Sequence, residues 1–105
     1  MKIHTLSKFH ANADETKEYI LNADRVGDTP LEEFYLTIGN NAQVNIEAYI
    51  DDETVIQNPS ALNLGVMDFV DNIFEKGCYL ITTTPYTKMK LTFVDEADVI
   101  VKIVY

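Results

Sequence analysis

The chain has 105 residues, 47% of them hydrophobic and 24% charged, a balance that supports one packed domain and excludes the apolar-poor composition of a disordered segment. Its formal net charge of −9 opposes direct attraction to nucleic acid or anionic lipid. No apolar stretch nears the roughly 20 residues that span a bilayer, and Cys78 is the one cysteine, so a disulfide-free domain of the cytoplasm is expected.

In chain order, residues 1–9 read as a short strand. Asn12 followed by Glu15 has the spacing of a capping box, which predicts a helix through Ala23. Gly27, Asp28 and Pro30 then break the pattern. Phe34, Leu36 and Ile38 alternate with polar positions, as do Val44, Ile46, Ala48 and Ile50. Gly39-Asn40-Asn41 between the two runs suggests a hairpin, because Gly and Asn tolerate positive φ. A competing helix would start at Thr29, with Pro30 in its first turn and Leu31, Phe34, Tyr35 and Ile38 buried. Aromatic and β-branched content favours the strand.

Between Asn58-Pro59 and Gly77, Leu62, Val66, Phe69, Val70 and Ile73 fall at helical spacing, with Asp68, Asp71, Asn72 and Glu75 opposite. Three strand-like runs follow, at 78–84, 88–94 and 99–105. Their short connections predict an antiparallel meander. The expected fold is therefore α+β, a single domain over 1–105. Two helices pack on a mainly antiparallel sheet in the order β-α-β-β-α-β-β-β.

Motifs of fixed chemical meaning are scarce. Val94-Asp95-Glu96-Ala97-Asp98 resembles the acidic box of helicases driven by nucleoside triphosphates. The phosphate-cradling Gly-rich loop is missing and the chain is too short for such a motor, so these residues read as an acidic turn. Asp51-Asp52-Glu53 lacks the EF-hand pattern, and consecutive strand residues point to opposite faces, so a solvated loop is the simpler reading. His4, His10 and Cys78 are too few for a zinc site without carboxylates, and Cys78 reads as core filler. Neither Ser7 nor Ser60 lies in a nucleophile turn. No catalytic residue, metal site or cofactor is expected.

Charge segregation is the strongest signal. From Asp14 to Glu75 there are fourteen acids against Lys17 and Arg25, a balance of −12, while the rest of the chain carries +3. On the expected helix, Asp68, Asp71 and Glu75 would repeat every ~5 to 6 Å, comparable to nucleic-acid phosphates. With Asp14, Glu15 and Glu18, and with Asp51, Asp52 and Glu53, they would offer a carboxylate array to a basic groove, and Tyr86 would serve as an aromatic anchor. The leading expectation is a non-enzymatic inhibitor, antitoxin or immunity-type protein that binds a basic, nucleic-acid-binding partner. Two alternatives remain: a ligand-binding or enzymatic domain using a helix–sheet cleft with His4 or His10, and a structural subunit self-associating through an edge strand at 99–105.

Overall fold

The computed structural model describes residues 3–21, 33–83 and 86–104, and these form ten strands with no helix among them. They are β1 (Ile3–Ala11), β2 (Thr16–Ile20), β3 (Glu33–Ile38), β4 (Val44–Tyr49), β5 (Val55–Gln57), β6 (Ala61–Asn63), β7 (Asp68–Val70), β8 (Gly77–Thr82), β9 (Lys88–Phe93) and β10 (Ala97–Val104). The first sheet has six strands in the order β1-β10-β3-β8-β6-β7, and the second has four, β2-β9-β4-β5. Every pairing is antiparallel.

The alternation expected at 33–50 is realised. Phe34, Leu36 and Ile38 on β3, and Val44, Ile46 and Ala48 on β4, are buried, as are Val99, Val101 and Ile103 on β10 and Met89, Leu91 and Phe93 on β9. Each sheet turns one apolar face inward, and the two faces close on a common core as in a β-sandwich. Aromatic contacts cross between the layers. Phe9 of β1 meets Phe93 of β9 edge-on at 5.8 Å, and Tyr19 of β2 meets Phe34 of β3 at 5.5 Å and 67°. The hydroxyls of Ser7 and Tyr19, 2.6 Å apart, close the same side.

The α+β expectation is thus corrected to all-β. The Asn12–Glu15 spacing marks a tight turn rather than a helix start. Glu15 donates its backbone N–H to the carbonyl of Asn12, and Asp14 sits at φ 66°, so the chain folds from one sheet to the other. Residues 16–20 then pair with β9, and Ala23 lies outside the described residues. Residues 29–32 of the competing helix also lie outside them, while Phe34 to Ile38 is a strand.

The helix expected between 58 and 77 is two three-residue strands around a turn. Asn58 and Met67 adopt φ of 46° and 54°, which a helix forbids. Asn63 Oδ1 accepts the Gly65 N–H, a local bond that competes with helical pairing. Of the residues assigned to a buried helical stripe, Ile73 is buried and Val70 partly so, but Val66 and Phe69 remain 69% and 67% exposed.

Both expected strand pairings are overturned as well. The segment Gly39-Asn40-Asn41 is no hairpin turn, because β3 and β4 belong to different sheets. Gly39 passes so close to β10 that an added Cβ would lie 3.2 Å from that of Asp98. Nor do β8, β9 and β10 form a meander: β8 and β10 flank β3, while β9 is in the other sheet. β10 is an interior strand, which removes the edge assigned to 99–105.

Candidate functional site

Register places the connections at two ends of the sandwich. At one end lie the segments 12–15, 39–43, 73–76 and 94–96, stitched together by backbone and asparagine contacts. Glu15 and Phe93 pair through their backbones, and Val94 donates to the carbonyl of Gln43. Asn40 Nδ2 donates to the Glu96 carbonyl at 2.9 Å, while its Oδ1 accepts the Asp98 N–H at 3.0 Å. Asn41 Oδ1 accepts the Lys76 N–H, and the Asp95 carboxylate accepts that of Gln43. These turns carry Asp14, Glu15, Glu75, Asp95 and Glu96, with Asp68 and Asp98 at neighbouring strand ends. Lys76 is the basic residue of these turns, and His10 stands near the end of β1.

His10 Nδ1 lies 2.9 Å from Asp98 Oδ1. The hydrogen bond to Asp98 raises the imidazole above its ordinary value of 6.5, slight burial opposes the shift, and the negative charges of Asp98, Glu96 and Glu15 add to it.

The remaining expected site residues lie elsewhere. Glu18 stands on the outer face of the four-stranded sheet, in one row with Lys90 and Glu47. On that face Lys88 also lies over the Tyr49 ring at 4.2 Å. Asp51, Asp52 and Glu53 form the β4–β5 turn at the opposite end. There Asp51 Oδ1 accepts the N–H groups of Glu53 and Thr54 at 2.8 and 2.7 Å, and these bonds hold its carboxyl below its ordinary value. Tyr86 is also at that end, partly buried against the core.

Asp68 and Glu75 reach the acidic end in a strand and a turn, while Asp71 leaves β7 at its other end, so the helical, phosphate-like spacing is lost. Asp95, Glu96 and Asp98 were missed as partners of this cluster because they belong to the net-positive C-terminal part of the chain. The signal available was local: three acids within four residues. Cys78 is half-buried outside the core cluster, on the outer face of the six-stranded sheet, which corrects its reading as core filler. The helix–sheet cleft has no counterpart among the described residues. Among them, no three His, Cys, Asp or Glu side chains are placed to hold a metal ion, and no helix is long and apolar enough to cross a membrane.

No protein-family model and no curated protein matches the chain. Among solved structures it is similar to the SPBc2 prophage-derived protein YomS, at a TM-score of 0.70 and 15% identity, over 99% of this chain and 92% of that one. At that identity the likeness establishes a shared fold across the whole domain.

Proposed function

We propose that this protein is a non-enzymatic binding protein that docks the acidic end of its sandwich on a basic surface of a partner protein. The observation that carries this reading is the gathering of Asp14, Glu15, Glu75, Asp95 and Glu96, from three separate turns, at the end where Asp98 pairs with His10. Acids concentrated at one end of a chain of net charge −9 repel one another, and a cationic partner would relieve that repulsion. Asparagine side chains hold the turns in place, so little ordering would be needed on docking. Long-range attraction speeds encounter and makes it sensitive to salt, because charges beyond about 8 Å are screened at physiological ionic strength.

The test compares two variants of equal charge in affinity capture from native extract at low and high salt. Glu15→Gln with Glu75→Gln and Glu96→Gln takes the net charge from −9 to −6 at the acidic end, through carboxylates that accept no hydrogen bond among the described residues. Glu18→Gln with Asp52→Asn and Glu53→Gln makes the same change elsewhere. A basic protein retained by the wild type and the second variant, lost by the first, and released by salt is the expected result. Equal loss from both variants, or capture that salt leaves unchanged, refutes docking through this end.

A further inference from the structure

Asn63 of β6 pairs with Tyr79 on one side and with Asp68 on the other, so these three side chains and that of Val70 share the strand face on which Tyr79 is buried. After β7 the segment 71–76 crosses to the second sheet, where Ile73 pairs with Val44, and returns to the first as β8. Between the β6–β7 pair and this crossing segment lies a cavity of about 230 Å³, lined by Asn63, Val70, Asn72, Phe74, Glu75 and Tyr79. Phe74 is 53% exposed there. Leu21 and Glu33, which border residues 22–32, stand at the opposite end of the sandwich from Glu75.

The lining suits one cationic side chain. Its volume is below the roughly 300 to 1,000 Å³ of small-molecule pockets. Its one charge is the Glu75 carboxylate, and no lysine, arginine or histidine lines it. Among the described residues that carboxylate has no ion pair and accepts no hydrogen bond. No cation lies over the Phe74 or Tyr79 ring among them either, whereas Lys17 and Lys88 cover Phe9 and Tyr49 elsewhere. Tyr79 donates its hydroxyl to the Glu75 carbonyl at 2.6 Å, which leaves the phenol oxygen an acceptor. Burial raises that phenol above its ordinary value of 10.0, the Glu75 charge adds to the shift, and the backbone hydrogen bond opposes it. The carboxylate therefore acts on a ring that walls the cavity, and an anion entering would meet that charge uncompensated.

We propose that this cavity receives an arginine side chain of the basic partner, an inference that rests on the docking function and names the group recognised. Glu75 belongs both to the cavity and to the acidic end, so the attraction that draws a basic surface there leads to the cavity. The guanidinium pairs with the Glu75 carboxylate and the Asn72 side-chain oxygen and stacks on Phe74, while Val70 and the Tyr79 ring take the methylene stem. Asp68, on the same strand face as Asn63, adds negative charge nearby. Arginine is favoured over lysine because its planar fork spans two acceptors, stacks on a ring and is weakly hydrated. A lysine ammonium is a compact, strongly hydrated point charge that would lose more water and gain no stacking.

NMR titration of the protein with N-acetyl-arginine amide, and with N-acetyl-lysine amide of equal charge at the same low ionic strength, tests it. The arginine probe shifts the side-chain amides of Asn63 and Asn72 and the rings of Phe74 and Tyr79 saturably, and binds about two- to fivefold more tightly than the lysine probe. Glu75→Gln removes the saturable response. Phe74→Leu, which keeps an apolar wall without a π face, weakens it about two- to fivefold, with circular dichroism confirming the fold of both variants. An arginine probe that leaves these resonances unmoved, equal affinity for lysine, or undiminished binding by either variant overturns the proposal. Capture from extract separates this inference from the docking function. A basic protein lost by the acidic-end charge variant but held at wild-type affinity by Phe74→Leu upholds docking and removes the arginine site. Saturable arginine binding without capture of a basic protein upholds the site and removes the docking function.

Discussion

Phe34→Ala removes a ring that is 0% exposed on β3 and that meets Tyr19 of the opposite sheet edge-on at 5.5 Å. Truncating a buried aromatic costs about 3 to 5 kcal/mol through lost transfer energy and the cavity left behind. Of that, about 0.5 to 1.5 kcal/mol belongs to the ring pair itself. Against a total stability of about 5 to 15 kcal/mol, the variant stays folded in most of that range, but its melting temperature falls by at least about 12 °C. Urea unfolding followed by circular dichroism gives the loss as a lower midpoint at unchanged slope. A cycle of Tyr19→Leu and Phe34→Leu isolates the coupling. A loss below about 1 kcal/mol, the scale of a surface substitution, would refute the packing of the two sheets through this pair.

Asn58 holds β4 with both its backbone N–H and its side-chain oxygen on Ile46 while at φ 46°. Asn58→Ala therefore loses the side-chain bond and adds strain, whereas Asn58→Gly loses the bond alone; denaturation should show alanine the worse by about 1 kcal/mol. His10 should titrate above 6.5 by NMR, and Asp98→Asn should lower it. Because its folded value is raised, the stability it contributes is full below the unfolded value and is lost as pH rises through the folded one. Asp51 is the converse case. Its folded value is depressed by the Glu53 and Thr54 N–H bonds, so its contribution is present above the unfolded value and disappears as pH falls through the folded one, and carboxyl NMR titration should place it below 3.8. A normal Asp51 titration would mean that the turn bonds are absent in solution.

The acidic character on which the proposed docking rests was legible in the composition, and so were the individual carboxylates Asp14, Glu15 and Glu75. Their assembly was not. Asp95, Glu96 and Asp98 are remote in sequence from Asp14 and Glu75, and only the sandwich end brings them together, through contacts such as Asn40 with Glu96 and Asn41 with Lys76. Asp51-Asp52-Glu53 looks equivalent in sequence and lies at the other end because β4 runs the length of the sheet.

By itself the sequence determined the net charge and the inward faces of β3, β4, β9 and β10. A two-residue alternation is a local property, and it survives any choice of partner strand. Tertiary structure decided the pairing: which sheet each strand joins, and whether short apolar segments become helix or strand. Leu62, Val66, Phe69 and Ile73 satisfy helical spacing, yet strands of three residues have too little local pattern to compete with it. Leu62 and Phe69 instead pair across a tight turn that holds Val66, and distant partners fix the segment, Leu62 and Asn63 on β8 and Ile73 on Val44. Gly39-Asn40-Asn41 supports a reversal in either sheet, and the close approach of Gly39 to β10 settles which. Such non-local contacts form only when the whole chain is folded, so no window of sequence contains them.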